Sequence, residues 1–124
     1  MTIKTNQSGF TLVEIMIVVA IIALLAAIAI PNIIQSRATS QQKVCINNLR
    51  QIDSAKQQWA LENRAVGGET PLESEIGPYL NRNGSATNVV CPAGGFTATF
   101  ASSYAVNQVT NPPVCQINLS HDLH

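Results

Sequence analysis

From Phe10 to Ile30 about 21 residues are apolar, interrupted only by Thr11 and Glu14. As an α-helix that run is about 31 Å long, enough to cross the hydrocarbon core of a bilayer. The nine residues before it are polar and carry Lys4, and Pro31 follows it. Two membrane readings compete. A cleaved secretory signal has a shorter apolar region and a small-residue cleavage site, for which Ala26-Ala27-Ile28-Ala29 could be mistaken. An uncleaved anchor fits the length of the run and its end at Pro31 better.

This segment holds so much of the chain's hydrophobicity that the average of 46% describes neither half of the 124 residues. What remains is under about 100 residues, room for one small domain and not for a large enzyme core. Lysine plus arginine equals aspartate plus glutamate at seven each, so there is no basic field for nucleic acid and no acidic field for a cationic partner. No serine, histidine and acid set, phosphate loop or metal-ligand cluster emerges from the spacing, and an enzyme is not expected.

Glu14 narrows the anchor reading. A carboxylate at the middle of a spanning helix costs about 2.5 to 3.5 kcal/mol, and less near its end, so an acid here either sits at the interface or has a partner. If the chain is cut after Gly9, the new α-amino group of Phe10 lies about one helical turn from Glu14. That amine titrates near 8 and is cationic at neutral pH. In apolar surroundings an amine and a carboxylate cost much less paired than apart, and pairing between neighbouring helices sets their register.

The run Gly9-Phe10-Thr11-Leu12-Val13-Glu14-Ile15-Met16-Ile17-Val18-Val19-Ala20-Ile21-Ile22, continuing to Pro31-Asn32, resembles the N-terminus of type IV prepilins and type II secretion pseudopilins. The resemblance covers about the first 32 residues without a departure. It implies cleavage by a prepilin peptidase between Gly9 and Phe10 on the cytoplasmic side, N-methylation of Phe10, and Glu14 neutralising the Phe10 amine of an adjacent subunit in a filament. It also implies an inner-membrane platform protein and an assembly ATPase as partners, and a single-pass bacterial inner-membrane precursor that leaves the lipid for a periplasmic or cell-surface polymer. A pilus subunit and a secretion pseudopilus subunit share these mechanics. The rival from another class is a membrane-tethered extracytoplasmic binding module that does not polymerise, which has no use for the Gly9–Phe10 junction or for Glu14.

Pro31 cannot donate to the carbonyl of Ala27 and its ring crowds that turn, so a helix either ends there or runs through with a kink. Helical character resumes beyond it. Cys45, Leu49, Ile52, Ala55 and Trp59 recur at steps of four, three, three and four, one apolar face of a helix from Ser36 to about Ala65, with Gly67-Gly68 as a stop signal.

Glu69 to Asn83 is expected as a connecting loop with a short turn at Pro78-Tyr79-Leu80. The resemblance raises calcium as a cofactor in this region, yet Glu69, Glu73 and Glu75 match no strong cation-loop spacing and are read as solvated acids. In the last third, Phe96, Ala98 and Phe100, and again Cys115, Ile117 and Leu119, alternate with polar residues as half-buried strands do, and Ser103 to Val109 offers a third. The expected fold is α+β: a long N-terminal helix packed on a small C-terminal antiparallel sheet. Its regions are a leader at 1–9, a spanning and assembly helix at 10–31, the amphipathic second half at 32–66, and loop and sheet at 67–124.

Three cysteines allow one disulfide and one leftover thiol. Cys91 and Cys115 flank the expected sheet. A bond between them closes roughly 25 residues and contributes about 3 to 4 kcal/mol in the chain-entropy model. Cys45 belongs to the helical stripe and is read as a buried apolar thiol, although a bond from helix to sheet is an alternative. Cys91-Pro92-Ala93-Gly94-Gly95 lacks the second close cysteine of a metal knuckle, so no metal is expected there. His121 and His124, near the C-terminus, are expected to be solvated.

Overall fold

The structure, a computed structural model, describes residues 8–80 and 83–123. Residues 1–7 of the expected leader and His124 lie outside that set. Helix α1 (Leu12–Asn63) is 52 residues long and continues through Pro31. The chain divides into two compact units, the first ending at Ser36 and the second spanning Arg37–His124.

In the first unit the apolar side chains of α1 are exposed, from Leu12 through Ile22 and Leu25 to Ile34. A core helix of a soluble protein buries such residues, so the length and apolarity of this segment fit a bilayer or a packed partner as its solvent.

In the second unit the expected stripe is the core. Cys45, Leu49, Ile52, Ala55 and Trp59 are buried and meet Ile76, Leu80, Ala86, Val89, Cys91, Phe100, Tyr104 and Cys115. Lys56 is also fully buried on this helix, its amine donating to the carbonyls of Val106, at 3.0 Å, and Asn111, with Asp53 at 3.8 Å. Desolvation holds the ammonium below the ordinary lysine value, and the Asp53 charge opposes that shift.

Where a loop is expected after Gly68, the chain forms helix α2 (Glu73–Leu80). The side chain of Glu75 accepts from the Leu72 amide at 2.7 Å, closing the first turn, while Ile76 and Leu80 bury in the core. Turn signals at Pro71 and Pro78 hid a two-turn amphipathic pattern too short to stand out. Gly77 lets this helix approach the next loop: a Cβ there would lie 2.9 Å from the Gly84 carbonyl oxygen.

The alternation of Phe96, Ala98 and Phe100 does not make a strand. Pro92–Thr97 is a 3₁₀ segment broken at Gly95, where φ is 71°, and Phe100–Ser103 is a single helical turn, α3. Thr99 and Ser102 cap that turn reciprocally, each side chain holding the other's amide. Phe96 is fully exposed and Phe100 buried, so their shared parity in sequence carries no shared face. The sheet is β1 (Tyr104–Ala105) paired antiparallel with β2 (Val114–Cys115), in register Tyr104 with Cys115 and Ala105 with Val114. The Gln116 amide extends the ladder to the Ser103 carbonyl at 2.9 Å. The fold is therefore the expected α+β arrangement, with strands of two residues where longer ones were expected at Cys115–Leu119 and Ser103–Val109.

Candidate functional site

Two clusters carry chemistry, one in each unit. At the start of α1, Thr11 and Glu14 form a capping box. The carboxylate of Glu14 accepts from the Thr11 amide at 2.7 Å and from its hydroxyl at 2.9 Å, and the Glu14 amide donates to the Thr11 hydroxyl at 3.2 Å. Glu14 therefore satisfies its own helix terminus and lies where the dipole favours a negative charge. Ser8, Gly9 and Phe10 precede the helix and are exposed, Phe10 at 85%. A Cβ at Gly9 would meet nothing within 4 Å. Among the described residues nothing demands glycine at that position.

The second cluster is assembled from four places in the chain. Cys45 comes from α1, Cys91 from the start of the 3₁₀ segment, Cys115 from β2 and His121 from the C-terminal loop; all four are buried, and one ligand atom from each lies within 4.8 Å of the others. The three thiols are free. Cys91 and Cys115 thus stand close together, as the expected pairing requires, but Cys45 and His121 stand there too. His121 corrects the reading of a solvated imidazole: it is 5% exposed, with Nδ1 at 3.7 Å from the Cys91 sulfur. Its loop is fixed from within. The His121 amide donates to the Asn118 carbonyl at 3.0 Å, the Asn118 side chain accepts from Ser120, and Gln42 of α1 donates to the Ser120 carbonyl at 3.2 Å.

The thiols differ in environment. Burial pushes Cys45 and Cys91 up. Burial also raises Cys115, but the amides of Asn118 and Ile117 and the neighbouring thiols outweigh it and draw Cys115 below its ordinary value. The Tyr104 hydroxyl beside Cys45 opposes the rise there, and Asn48 donates to the Tyr104 hydroxyl at 3.0 Å and to the Val90 carbonyl at 3.1 Å. Sequence reasoning missed this convergence because its signal was a set of buried positions rather than a spacing.

Glu69, Glu73 and Glu75, the acids considered for calcium, do not join a metal-ligand group among the described residues, and Glu75 is occupied in capping α2.

The prokaryotic N-terminal methylation motif matches residues 4–30. Over 112 residues the chain is 36% identical to the fimbrial protein EcpC of Eikenella corrodens, an alignment covering 82% of this chain and 67% of that protein. It is 52% identical over 57 residues to the type IV major pilin protein PilA of Myxococcus xanthus (strain DK1622), covering 46% of this chain and 26% of the relative. With the type II secretion system core protein G of Aeromonas hydrophila it shares 32% identity over 60 residues, covering 48% of this chain and 42% of the relative. The chain thus spans less than half the length of these last two. The relatives are pilin, fimbrial and secretion core proteins rather than enzymes. No solved structure matches the chain.

Proposed function

We propose, because the chain belongs to the type IV pilin and type II secretion pseudopilin family, that it is a structural subunit cut after Gly9, N-methylated on Phe10 and polymerised through α1. The observation that carries this reading is the first unit of the fold: an exposed apolar helix that opens two residues after Phe10 and places a carboxylate in its first turn. Cleavage at Gly9 creates an amine at Phe10. Removing residues 1–9 also takes away the polar segment with Lys4 and leaves an apolar end with one positive and one negative group.

Within one subunit the Glu14 carboxylate already caps its own helix. A second copy offers its Phe10 amine as a charged partner, and in apolar surroundings that pairing removes the cost of two isolated charges and fixes how far one helix slides along the next. The unneeded glycine at position 9 supports the same reading, since a residue that the fold does not require is one that a processing enzyme can require. Pro31 lies within the helix and leaves the carbonyl of Ala27 without its helical donor, a weak point at which α1 loosens when it packs into the polymer.

Assembly on this reading takes the chain from the inner membrane, with its C-terminal unit outside the cytoplasm, to a filament, and uses a prepilin peptidase, a platform protein and an assembly ATPase. A carboxylate in each copy and a compact C-terminal unit suit a repeating subunit. The test is mass spectrometry of the N-terminal peptide in a sheared cell-surface fraction and in the envelope of the same cells. Abundant sheared material beginning at methylated Phe10 is the result expected of a pilus, and an envelope copy beginning at Phe10 is that expected of a secretion pseudopilus. A chain that still begins at Met1 in both fractions would overturn the reading and leave a membrane-tethered binding module.

A further inference from the structure

We propose that Cys45, Cys91, Cys115 and His121 form a tetrahedral site for one zinc ion, which ties α1, β2 and the C-terminal loop of the second unit together. Three thiolates and one imidazole are a recurrent structural donor set for this metal. Zinc bonds sulfur at about 2.3 Å and imidazole nitrogen at about 2.0 Å, so ligand atoms around it stand roughly 3.5 to 3.8 Å apart. The four side chains already bring one such atom each within 4.8 Å of all the others. Closing onto an ion asks for movements of about 1 Å or less.

The surroundings suit the charge such a site carries. Binding releases the three thiol protons, and three thiolates with a dication leave one net negative charge in a buried place. Polar groups beside the sulfurs are placed to disperse it: the Ala93 amide near Cys91, the Ile117 and Asn118 amides near Cys115, and the Tyr104 hydroxyl near Cys45. Asn48 holds Tyr104 in place, and the Cys91 amide donates to the Ser103 hydroxyl at 3.1 Å, fixing the backbone that presents the second ligand. A surface cavity of about 180 Å³, lined by Val114, Cys115, Leu119, His121 and Asp122, touches two of the four ligands and gives an ion its path in.

A disulfide between Cys91 and Cys115 is the competing state of the same cluster. It uses two of the four side chains and gives no role to Cys45 or to the buried imidazole. Those two residues therefore decide between the states.

The test uses the full chain purified in detergent from cells grown with ordinary trace metals and kept from added reductant and chelator. Elemental analysis is expected to find one zinc per chain, with the three thiols intact by mass and protected from alkylation until a strong chelator is added. Exchange for cobalt should produce the absorption of a tetrahedral thiolate complex. Chelation should lower the melting temperature by several degrees. Cys45→Ser and His121→Ala should each weaken zinc binding by more than about tenfold; neither change touches a Cys91–Cys115 bond. A metal-free chain lighter by two hydrogens, with Cys91 and Cys115 joined in one peptide pair, would overturn the proposal. So would zinc content unchanged in both variants. Should a variant fail to fold, the metal content and thiol state of the unaltered chain still decide.

Discussion

Helix α1 carries apolar residues on both sides of Ser36, and they are arranged on different principles. Before that point Leu12, Val13, Ile15, Met16 and Ile17 follow one another with little regard for face, and all are exposed. After it Cys45, Leu49, Ile52, Ala55 and Trp59 keep helical spacing and all are buried. A helix apolar all round has no water-facing side and needs lipid or other helices as its solvent. A helix with one apolar stripe needs a single packed layer, which α2, α3 and the small sheet supply. One secondary structure thus serves two environments, and the pattern of side chains tells them apart.

The largest expected effect belongs to the first region. Glu14→Val should abolish incorporation into filaments while leaving membrane insertion intact, measured by sheared-fraction yield against envelope content. Normal filaments from that variant would remove the charge pair from the assembly mechanism.

Next comes a paired test of where stability resides. Ile52→Ala, in the stripe, should lower the unfolding free energy of the second unit by about 2 to 5 kcal/mol, because the buried methyl groups leave a cavity. Ile22→Ala, on the exposed stretch, should leave the same transition unchanged. Both are read by denaturant unfolding of the full chain in detergent, and equal losses would break the comparison.

Lys56 sharpens it further, since a charge inside the stripe is held by backbone carbonyls. Lys56→Met should cost about 1 to 3 kcal/mol by leaving the Val106 and Asn111 carbonyls without their donor. The pH dependence has a sign. Burial lowers the folded-state value, so between it and the ordinary lysine value of 10.5 the unfolded chain binds more protons than the folded one. Stability from this residue therefore rises with pH across that window and is lost as pH falls through the folded value. The gap between the natural chain and Lys56→Met should widen on the way up, and a gap that narrows there would mean that the ammonium is not desolvated.

The smallest effect is expected at Gly77, where Ala should cost about 1 kcal/mol by forcing α2 away from the Gly84 carbonyl, less the gain in helix propensity. A thermal melt of the two chains in the same detergent measures it. A rise in melting temperature would mean that the loop gives way freely.

Much of the long helix was legible because its signals are local and repeated. Twenty-one residues of apolar run and five stripe positions each state the same thing several times. The C-terminal third was legible only as a class. Phe96, Ala98 and Phe100 alternate as a strand does, but Gly95 at positive φ and the Thr99–Ser102 cap turn the backbone before a ladder can form. Pro71 and Pro78 suggested a loop, and the two buried residues Ile76 and Leu80 were too few to outvote them. In the thiol cluster the burial of Cys45 was readable from its place in the stripe, whereas the burial of His121 was not, since a single histidine in an irregular segment carries no periodic signal.

The sequence by itself determined the long helix, its change from an all-round apolar surface to a single apolar stripe, and the place of the Glu14 carboxylate in its first turn. Each depends on neighbours within a turn or two, and helical period and bilayer thickness convert such neighbours directly into structure. Only the tertiary structure decided that Cys45, Cys91, Cys115 and His121 meet. They come from a helix, a 3₁₀ turn, a strand and a loop, and no spacing rule joins residues whose proximity arises from packing the stripe of α1 against the elements that follow it.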